Sequence, residues 1–252
     1  MENCTLHILY SFDAKICFME NGLEIFSVNT LNSLSDEIDL SVENLSNFEI
    51  NVYPIVNKKN SNLVPYSANI TNYNNNLICD SKQVVIYRLP KNHFILKLKQ
   101  LSLKSSAFDD FDKVEVKDNK IKTLKIIPTL AKNGKVEVFE INGDTPKLTE
   151  NYYVKLKSEN YLTNLNCLKL LHFFECLQCL DYDKAREALS FSLAEKLNKQ
   201  TLSNFFGEFT EVYLVNFYED FSVVILNEKK QTARVFGANF SANEIENIYE
   251  IE

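Results

Sequence analysis

The side chains best suited to chemistry lie together near the middle of the chain's second half. His172, Cys176 and Cys179 fall within about 60° of one another on a helix that turns about 100° per residue. Zinc accepts imidazole and thiolate ligands. However, His172 and Cys179 would lie about 10 Å apart along the helix axis, too far to share one ion easily. We therefore interpret these residues as buried thiols beside a partly exposed imidazole.

A redox role for Cys176-Leu177-Gln178-Cys179 is disfavoured by position. Redox pairs of this spacing lie at a helix N-terminus, where the helix dipole lowers the thiol pKa, whereas this pair falls near a helix C-terminus. The chain also lacks a Gly-x-Ser-x-Gly elbow and the glycine-rich phosphate-binding motifs. We expect no metal and no cofactor, and the sequence leans against an enzyme.

Composition describes a globular protein with an acidic surface. The chain has 252 residues, 45% of them hydrophobic, and a net charge of −7, which disfavours binding to nucleic acid or to an anionic membrane. No apolar run is long enough to cross a bilayer, and the first residues do not resemble a signal peptide. The six cysteines lie mostly beside apolar residues, as reduced thiols do, so we expect a cytoplasmic location.

The first part of the chain is a series of short strands separated by polar turns. Asn21-Gly22 and Pro90-Lys91-Asn92 each separate two strand-like runs and predict hairpins, as do Asn133-Gly134 and Asn142-Gly143. The segment from Leu31 to Leu45 fits neither period and is predicted to be a loop with a short helical turn. We expect a β-sandwich or barrel over 1–150, with a division into two β subdomains near 100–112 left open.

The second part is organised around the segment from Asn160 to Phe191, where apolar residues recur at helical spacing. Asp181 or Asp183 is placed to begin a second helix that runs through Leu197, and Thr201 to begin a third. Strands are expected at 208–216, 221–226, 232–237 and 245–251. Helices followed by a meander predict an α+β domain over 158–252, so that the chain as a whole is α+β.

The run from Leu170 to Ala185, with aromatic residues on a helix followed by Asp-Tyr and Lys-Ala, resembles the opening of an NTF2-like domain. In that superfamily a curved antiparallel sheet closes a cone around the helices. The resemblance implies a non-catalytic binding module, or alternatively an isomerase or dehydratase with acidic and histidine residues in a pocket. Strands 208–252 contain no histidine, which favours the binding module.

The resemblance leaves a small set of candidate pocket residues for either function, namely Tyr213, Glu211, Tyr218 and Asp220. The expected partner is a protein or a small-molecule ligand, with no nucleic acid and no membrane. NTF2-like domains commonly pair through the outer face of the sheet, so a homodimer is allowed. A carbohydrate-binding or adhesive N-terminal β-domain is a third hypothesis, which an exposed row of aromatic residues would support.

Overall fold

A computed structural model describes residues 4–10, 12–30, 37–42, 47–55, 64–74, 76–99, 111–126, 133–142, 145–156, 166–217 and 220–252. The chain separates into two compact units, Met1–Ser105 together with Glu252, and Ser106–Ile251. The division into domains over 1–150 and 158–252 stays a prediction.

The first unit contains nine of the described strands, in two open sheets. The sheet orders are β4-β1-β9-β8 and β3-β2-β5-β6-β7. All pairs are antiparallel except β1 with β9, which is parallel. The strands are β1 Cys4–Leu9, β2 Ala14–Glu20, β3 Leu23–Asn29, β4 Glu37–Val42, β5 Phe48–Pro54, β6 Tyr66–Tyr73, β7 Asn76–Cys79, β8 Val84–Arg88 and β9 His93–Leu98.

Both sheets of this unit contribute side chains to one core. Leu6 and Ile8 of β1, Ile16 of β2 and Ile50 of β5 are almost completely buried in it, as the alternation of strand side chains requires. Each sheet formed by the described strands has two edge strands and none closes on itself, so the barrel alternative is wrong. The segment predicted as a loop near Leu31 also contains β4, which pairs with β1 because tertiary pairing outweighs its ambiguous local pattern.

The hairpin predictions had mixed outcomes. Asn21 and Gly22 both have positive φ and join β2 to β3, and the turn at Lys91 and Asn92 joins β8 to β9, so these two hairpins are confirmed. Gly134, by contrast, is the first residue of a strand and not part of a turn. The turn predicted at Asn142-Gly143 includes residues outside the described part of the chain.

The second unit contains two antiparallel sheets and four described helices. The sheet orders are β10-β11-β12-β13 and β14-β15-β16-β17. The strands are β10 Lys113–Lys117, β11 Lys120–Ile126, β12 Gly134–Asn142, β13 Thr145–Val154, β14 Glu211–Phe217, β15 Asp220–Asn227, β16 Thr232–Ser241 and β17 Glu244–Ile251. The helices are α1 Asn166–Gln178, α2 Tyr182–Arg186, α3 Phe191–Lys196 and α4 Lys199–Phe206.

An aromatic cluster forms the centre of this unit. Phe173 and Phe174 of α1 pack edge-to-face with Phe206 of α4, at ring-centroid distances of 5.6 and 5.1 Å, and Phe236 of β16 contacts both Phe174 and Phe206. Such pairs add about 0.5–1.5 kcal/mol each beyond the burial of their area. The predicted apolar helix is therefore the element on which the helices and the β14–β17 sheet converge.

The helix boundaries correct two predictions. Asp181 begins α2, since its side chain accepts a hydrogen bond from the Lys184 amide, which confirms it as a cap. The second helix does not run through Leu197. It ends at Arg186, Leu189 then forms a bridge to Ile245 of β17, and α3 begins at Phe191. Asn198, not Thr201, begins α4; Thr201 is the third helical residue and completes a reciprocal capping box with Asn198.

The described chain is thus mostly β, with largely antiparallel sheets and a few helices. Within the part that the structure describes, no helix has the length and apolar character needed to cross a membrane.

Candidate functional site

The last two residues of β13 and the two that follow it direct alternate side chains to opposite faces of the β10–β13 sheet. Tyr153 and Lys155 face α1 and the start of β14, where the Tyr153 hydroxyl donates to the Thr210 carbonyl at 2.7 Å. Val154 and Leu156 face the other way and line a surface groove. This alternation follows from the two-residue period of extended chain, and it places two candidate sites back to back.

The first site is the α1 joint, which we define as His172, Cys176, Asp181 and Lys155. The Lys155 ammonium donates to Cys176 Sγ at 3.3 Å and to Asp181 Oδ2 at 2.8 Å. His172 Nε2 lies 3.5 Å from the same sulfur, because residues four apart share a helix face. The joint therefore connects the end of β13 to the C-terminal turn of α1.

The protonation states in the α1 joint oppose nucleophilic catalysis. Burial raises the pKa of the Cys176 thiol to about 11, and the residue has no exposed surface. Burial and the positive charges of Lys155 and Lys184 lower the pKa of His172. A neutral imidazole therefore faces a protonated thiol, whereas a thiolate is the reactive form of cysteine.

The same positive charge stabilises the carboxylate of the joint. Burial alone raises the pKa of Asp181, but the hydrogen bonds from Lys155 and from the Lys184 amide outweigh it, so that the pKa is lowered overall. With side-chain exposures of 22% for Lys155 and 39% for Asp181, this ion pair contributes about 0.5–1 kcal/mol.

The metal and redox interpretations of this segment gain no support. Among the described residues, no group of three or more His, Cys, Asp or Glu side chains is placed to hold a metal ion. Burial raises the pKa of the Cys179 thiol to about 12, the opposite of what a redox cysteine requires. The prediction of a buried thiol is confirmed for Cys176, while Cys179 is only partly buried.

A buried polar network extends the joint toward β14. Glu175 and Gln178 are buried, at 1% and 5% exposure, although helical periodicity places them opposite the apolar stripe of α1. The Asn133 side-chain amide donates to the Glu175 carbonyl and to Gln178 Oε1, each at 3.3 Å. The Gln178 amide in turn donates to the Thr210 carbonyl at 2.8 Å. The buried Gln178 side chain thus accepts one hydrogen bond and donates another, which offsets the cost of burying its amide group.

The pocket residues expected in the C-terminal part of the chain are placed only in part. Glu211 and Tyr213 lie on one face of β14, and the Tyr213 hydroxyl donates to the Glu211 carboxylate. Asp220 begins β15, but its side chain lies outside the described residues, as does all of Tyr218. A pocket formed by all four residues stays a prediction.

The second site is the groove, a cavity of about 200 Å³ on the face of the β10–β13 sheet that Tyr153 and Lys155 do not use. Its floor is apolar, and charged side chains stand along one side. The lining residues are Lys113, Glu115, Lys122, Thr123, Leu124, Val136, Val154 and Leu156.

A glycine lies beneath three of the side chains that line the groove. A Cβ on Gly134 would lie 2.5 Å from Leu124 Cδ1 and 3.2 Å from side-chain atoms of both Leu156 and Val154. Those three side chains close over the glycine because it has no side chain of its own. The conformational freedom of glycine plays no part here, since Gly134 has no positive φ.

The charges along the groove are mainly positive. Lys113 and Glu115 form an ion pair on the same strand, and Glu115 is also directly opposite Lys122 in the ladder. One carboxylate thus faces two ammonium groups, which leaves the rim with one excess positive charge in a chain whose net charge is −7. An apolar floor beside excess positive charge suits a ligand with an apolar body and an anionic group.

Sequence reasoning missed the groove and the partner of Cys176. The strand alternation of Tyr152-Tyr153-Val154-Lys155-Leu156 predicts that Lys155 and Val154 have opposite surroundings. It does not name the residues that they meet, which lie on other elements.

Comparisons with known proteins identify no relative of this chain. Neither a scan against protein-family models nor searches of curated proteins and of solved structures find a match to this chain.

Proposed function

We propose that this protein is a non-catalytic binding module and that the groove on the β10–β13 sheet is its binding site. The observation that carries the proposal is the combination, in one cavity, of an apolar floor and a lysine-rich rim. Ligand sites typically join an apolar lining to a few polar groups that fix orientation. The ligand class is an apolar molecule or segment that carries a negative charge.

The side chains that line the groove are suited to binding a ligand and not to converting it. Val136 is buried and fixed within the sheet, whereas Lys113 and Lys122 are exposed and can turn toward an anion. Among the described lining residues, no nucleophile lies beside a histidine or an unpaired carboxylate. Glu115, the one acid among them, is paired with Lys113, which lowers its pKa. The groove thus has the means to bind and orient a ligand.

The proposal extends to the fold and the compartment. The first unit is proposed to be a β-sandwich, supported by the single core shared by its two sheets. The C-terminal helices and meander are proposed to be NTF2-like, supported by the packing of α1 on β14 and β15. A cytoplasmic location is supported by six free cysteines, since free thiols are typical of reducing compartments.

The test uses an anionic apolar dye, 1-anilinonaphthalene-8-sulfonate, and its uncharged analogue N-phenyl-1-naphthylamine, titrated into the folded full-length chain and followed by fluorescence. We expect saturable binding of the anionic dye and weaker binding of the neutral one. Lys122→Glu should weaken the anionic dye about tenfold, equivalent to about 1.4 kcal/mol.

Lys117→Glu is the matched control, because it makes the same charge change on the same sheet at a residue that does not line the groove. We expect it to change affinity less than twofold. Dye binding that does not saturate, or that falls equally in both variants, would show that the groove is not the site.

An enzyme acting on a small apolar substrate is the second candidate. It is favoured by one observation, the hydrogen bond between the Tyr213 hydroxyl and the Glu211 carboxylate, because a carboxylate beside a phenol can accept and return a proton. Turnover in an isomerase or dehydratase screen that is lost in Tyr213→Phe would support this candidate over the binding module. A screen with no activity above background would remove it.

A further inference from the structure

Strand β10 is an edge strand among the described strands of its sheet. It pairs with β11 on one side and with no described strand on the other, and all five of its residues are exposed. The two-residue turn at Asp118-Asn119, with φ of 49° and 58°, makes Lys117–Lys120 a hydrogen-bonded pair. Since bonded and non-bonded pairs alternate along an antiparallel ladder, Val114 and Val116 turn their backbone N–H and C=O groups outward.

The charged side chains of β10 alternate in sign along one face of the strand. Lys113, Glu115 and Lys117 stand in a row on the groove face, and Val114 and Val116 lie on the other face, 40% and 69% exposed. Charges on an edge strand usually prevent pairing, because an unrelated strand does not match them. Here the signs alternate, so a strand with the same sequence can place opposite charges face to face.

We propose that β10 pairs with β10 of a second copy of this chain, antiparallel, about a two-fold axis that passes beside Val114. In this register the two Val114 residues exchange both of their outward backbone hydrogen bonds. Lys113 of each copy lies opposite Glu115 of the other, so the contact contains two attractive pairs. A contact of this kind is isologous and closes after two copies.

Three nearby registers keep the same hydrogen-bonding phase, and the sequence disfavours each of them. Centring the axis on Lys113 places Lys113 opposite itself and pairs Val114 with Asp112, whose amide already donates to the Leu124 carbonyl. Centring the axis on Glu115 places Glu115 opposite itself and Lys113 opposite Lys117, and like charges directly opposite one another destabilise a sheet. Centring it on Val116 places Val114 opposite Asp118, which lies in the turn with a positive φ and cannot continue the ladder.

The pairing joins two four-stranded sheets into one of eight strands. A two-fold axis perpendicular to the sheet keeps both grooves on the same face, one on each side of the new contact, and gathers the valines of both copies on the opposite face. A five-residue edge buries much less than the roughly 1,200–2,000 Å² of a stable interface, so the dimer forms in the micromolar range or above. The proposal does not depend on what the groove binds.

The test is sedimentation equilibrium of the full chain at low salt, over about 5–500 μM, the range in which micromolar affinities show. We expect the average mass to rise with concentration from 29.1 kDa toward twice that value. Lys113→Glu alone and Glu115→Lys alone should each weaken association at least tenfold. An equimolar mixture of the two variants should restore it, because two acidic positions of one copy then face two basic positions of the other.

Two further variants separate this pairing from other effects. The double exchange of Lys113→Glu with Glu115→Lys preserves the ion pair within one chain and should associate as the wild type does. Lys125→Glu changes the charge equally at an exposed position of β11 away from the open edge and should have no effect. A wild-type mass that stays at 29.1 kDa at the highest concentration overturns the proposal. So does a mixture that associates no better than its separate components.

Discussion

Leu180 occupies a backbone conformation that ordinarily belongs to glycine. It follows the last turn of α1 with φ of 57°. Its amide donates to the Leu177 carbonyl at 2.9 Å, and the Asp181 amide donates to the Cys176 carbonyl at 3.0 Å. These two bonds define a Schellman motif, in which the residue at this position is usually Gly. Its side chain is 67% exposed, so packing does little to offset the strain.

Three terms determine the effect of replacing Leu180. A left-handed conformation costs a residue with a Cβ about 1–2 kcal/mol. Glycine relieves this strain but loses about 0.5–1 kcal/mol through the greater freedom of the unfolded chain. Removing a side chain that is about one-third buried costs roughly 0.5–1 kcal/mol. Leu180→Gly should therefore lie within about 1 kcal/mol of the wild type.

Leu180→Ala is the matched control, since it loses the same packing but keeps the strained Cβ. We expect the glycine variant to be more stable than the alanine variant by about 0.5–1 kcal/mol, which reverses the order of the two residues within a helix. Urea denaturation followed by far-ultraviolet circular dichroism measures the difference. An alanine variant as stable as the glycine variant, or more so, would refute the assignment of strain to Leu180.

Three other substitutions test separate features. Gly134→Ala brings a Cβ into contact with Leu124; it should lower the free energy of unfolding by about 1–3 kcal/mol and weaken dye binding, as chemical denaturation and the dye titration will show. Asp181→Asn removes a carboxylate whose pKa Lys155 holds below its ordinary value of 3.8. That carboxylate stabilises the fold above the ordinary pKa and loses its effect as pH falls through the folded-state pKa. The deficit of the variant, about 0.5–1 kcal/mol at pH 6, should therefore shrink below about pH 4 in denaturation curves recorded across pH. Asn198→Ala removes the side-chain cap of α4 and should cost about 1 kcal/mol, measured as a fall in the denaturation midpoint.

The elements that were predicted well are those specified by neighbouring residues. Asn21-Gly22 determines its turn through two adjacent backbone conformations, and Asp181 begins α2 through a hydrogen bond to a residue three positions later. Asn133-Gly134 has the same local signal and forms no turn. There the glycine is needed because Leu124 and Leu156 pack over it, and these contacts are not visible in the dipeptide.

The polar residues of α1 also have surroundings that a local sequence pattern does not reveal. Helical periodicity places Glu175 and Gln178 opposite the apolar stripe, where solvent is expected. The structure covers that side with Asn133 and Thr210, which immediately precede β12 and β14. A helical pattern identifies a polar side but does not show whether water or another part of the chain meets it.

Periodicity and contacts a few residues apart were enough to predict the strands β8 to β11, the apolar core of α1 and the burial of the Cys176 thiol. They also narrowed the cap of α2 to Asp181 or Asp183, because a cap bonds to an amide within its own first turn. Tertiary contacts were needed to show that Lys155 meets Cys176, that Leu124 and Val154 line one groove, and that β10 is the edge strand among the described strands of its sheet. Those features join residues that are distant in the chain, and their contacts depend on which strands pair and in which register.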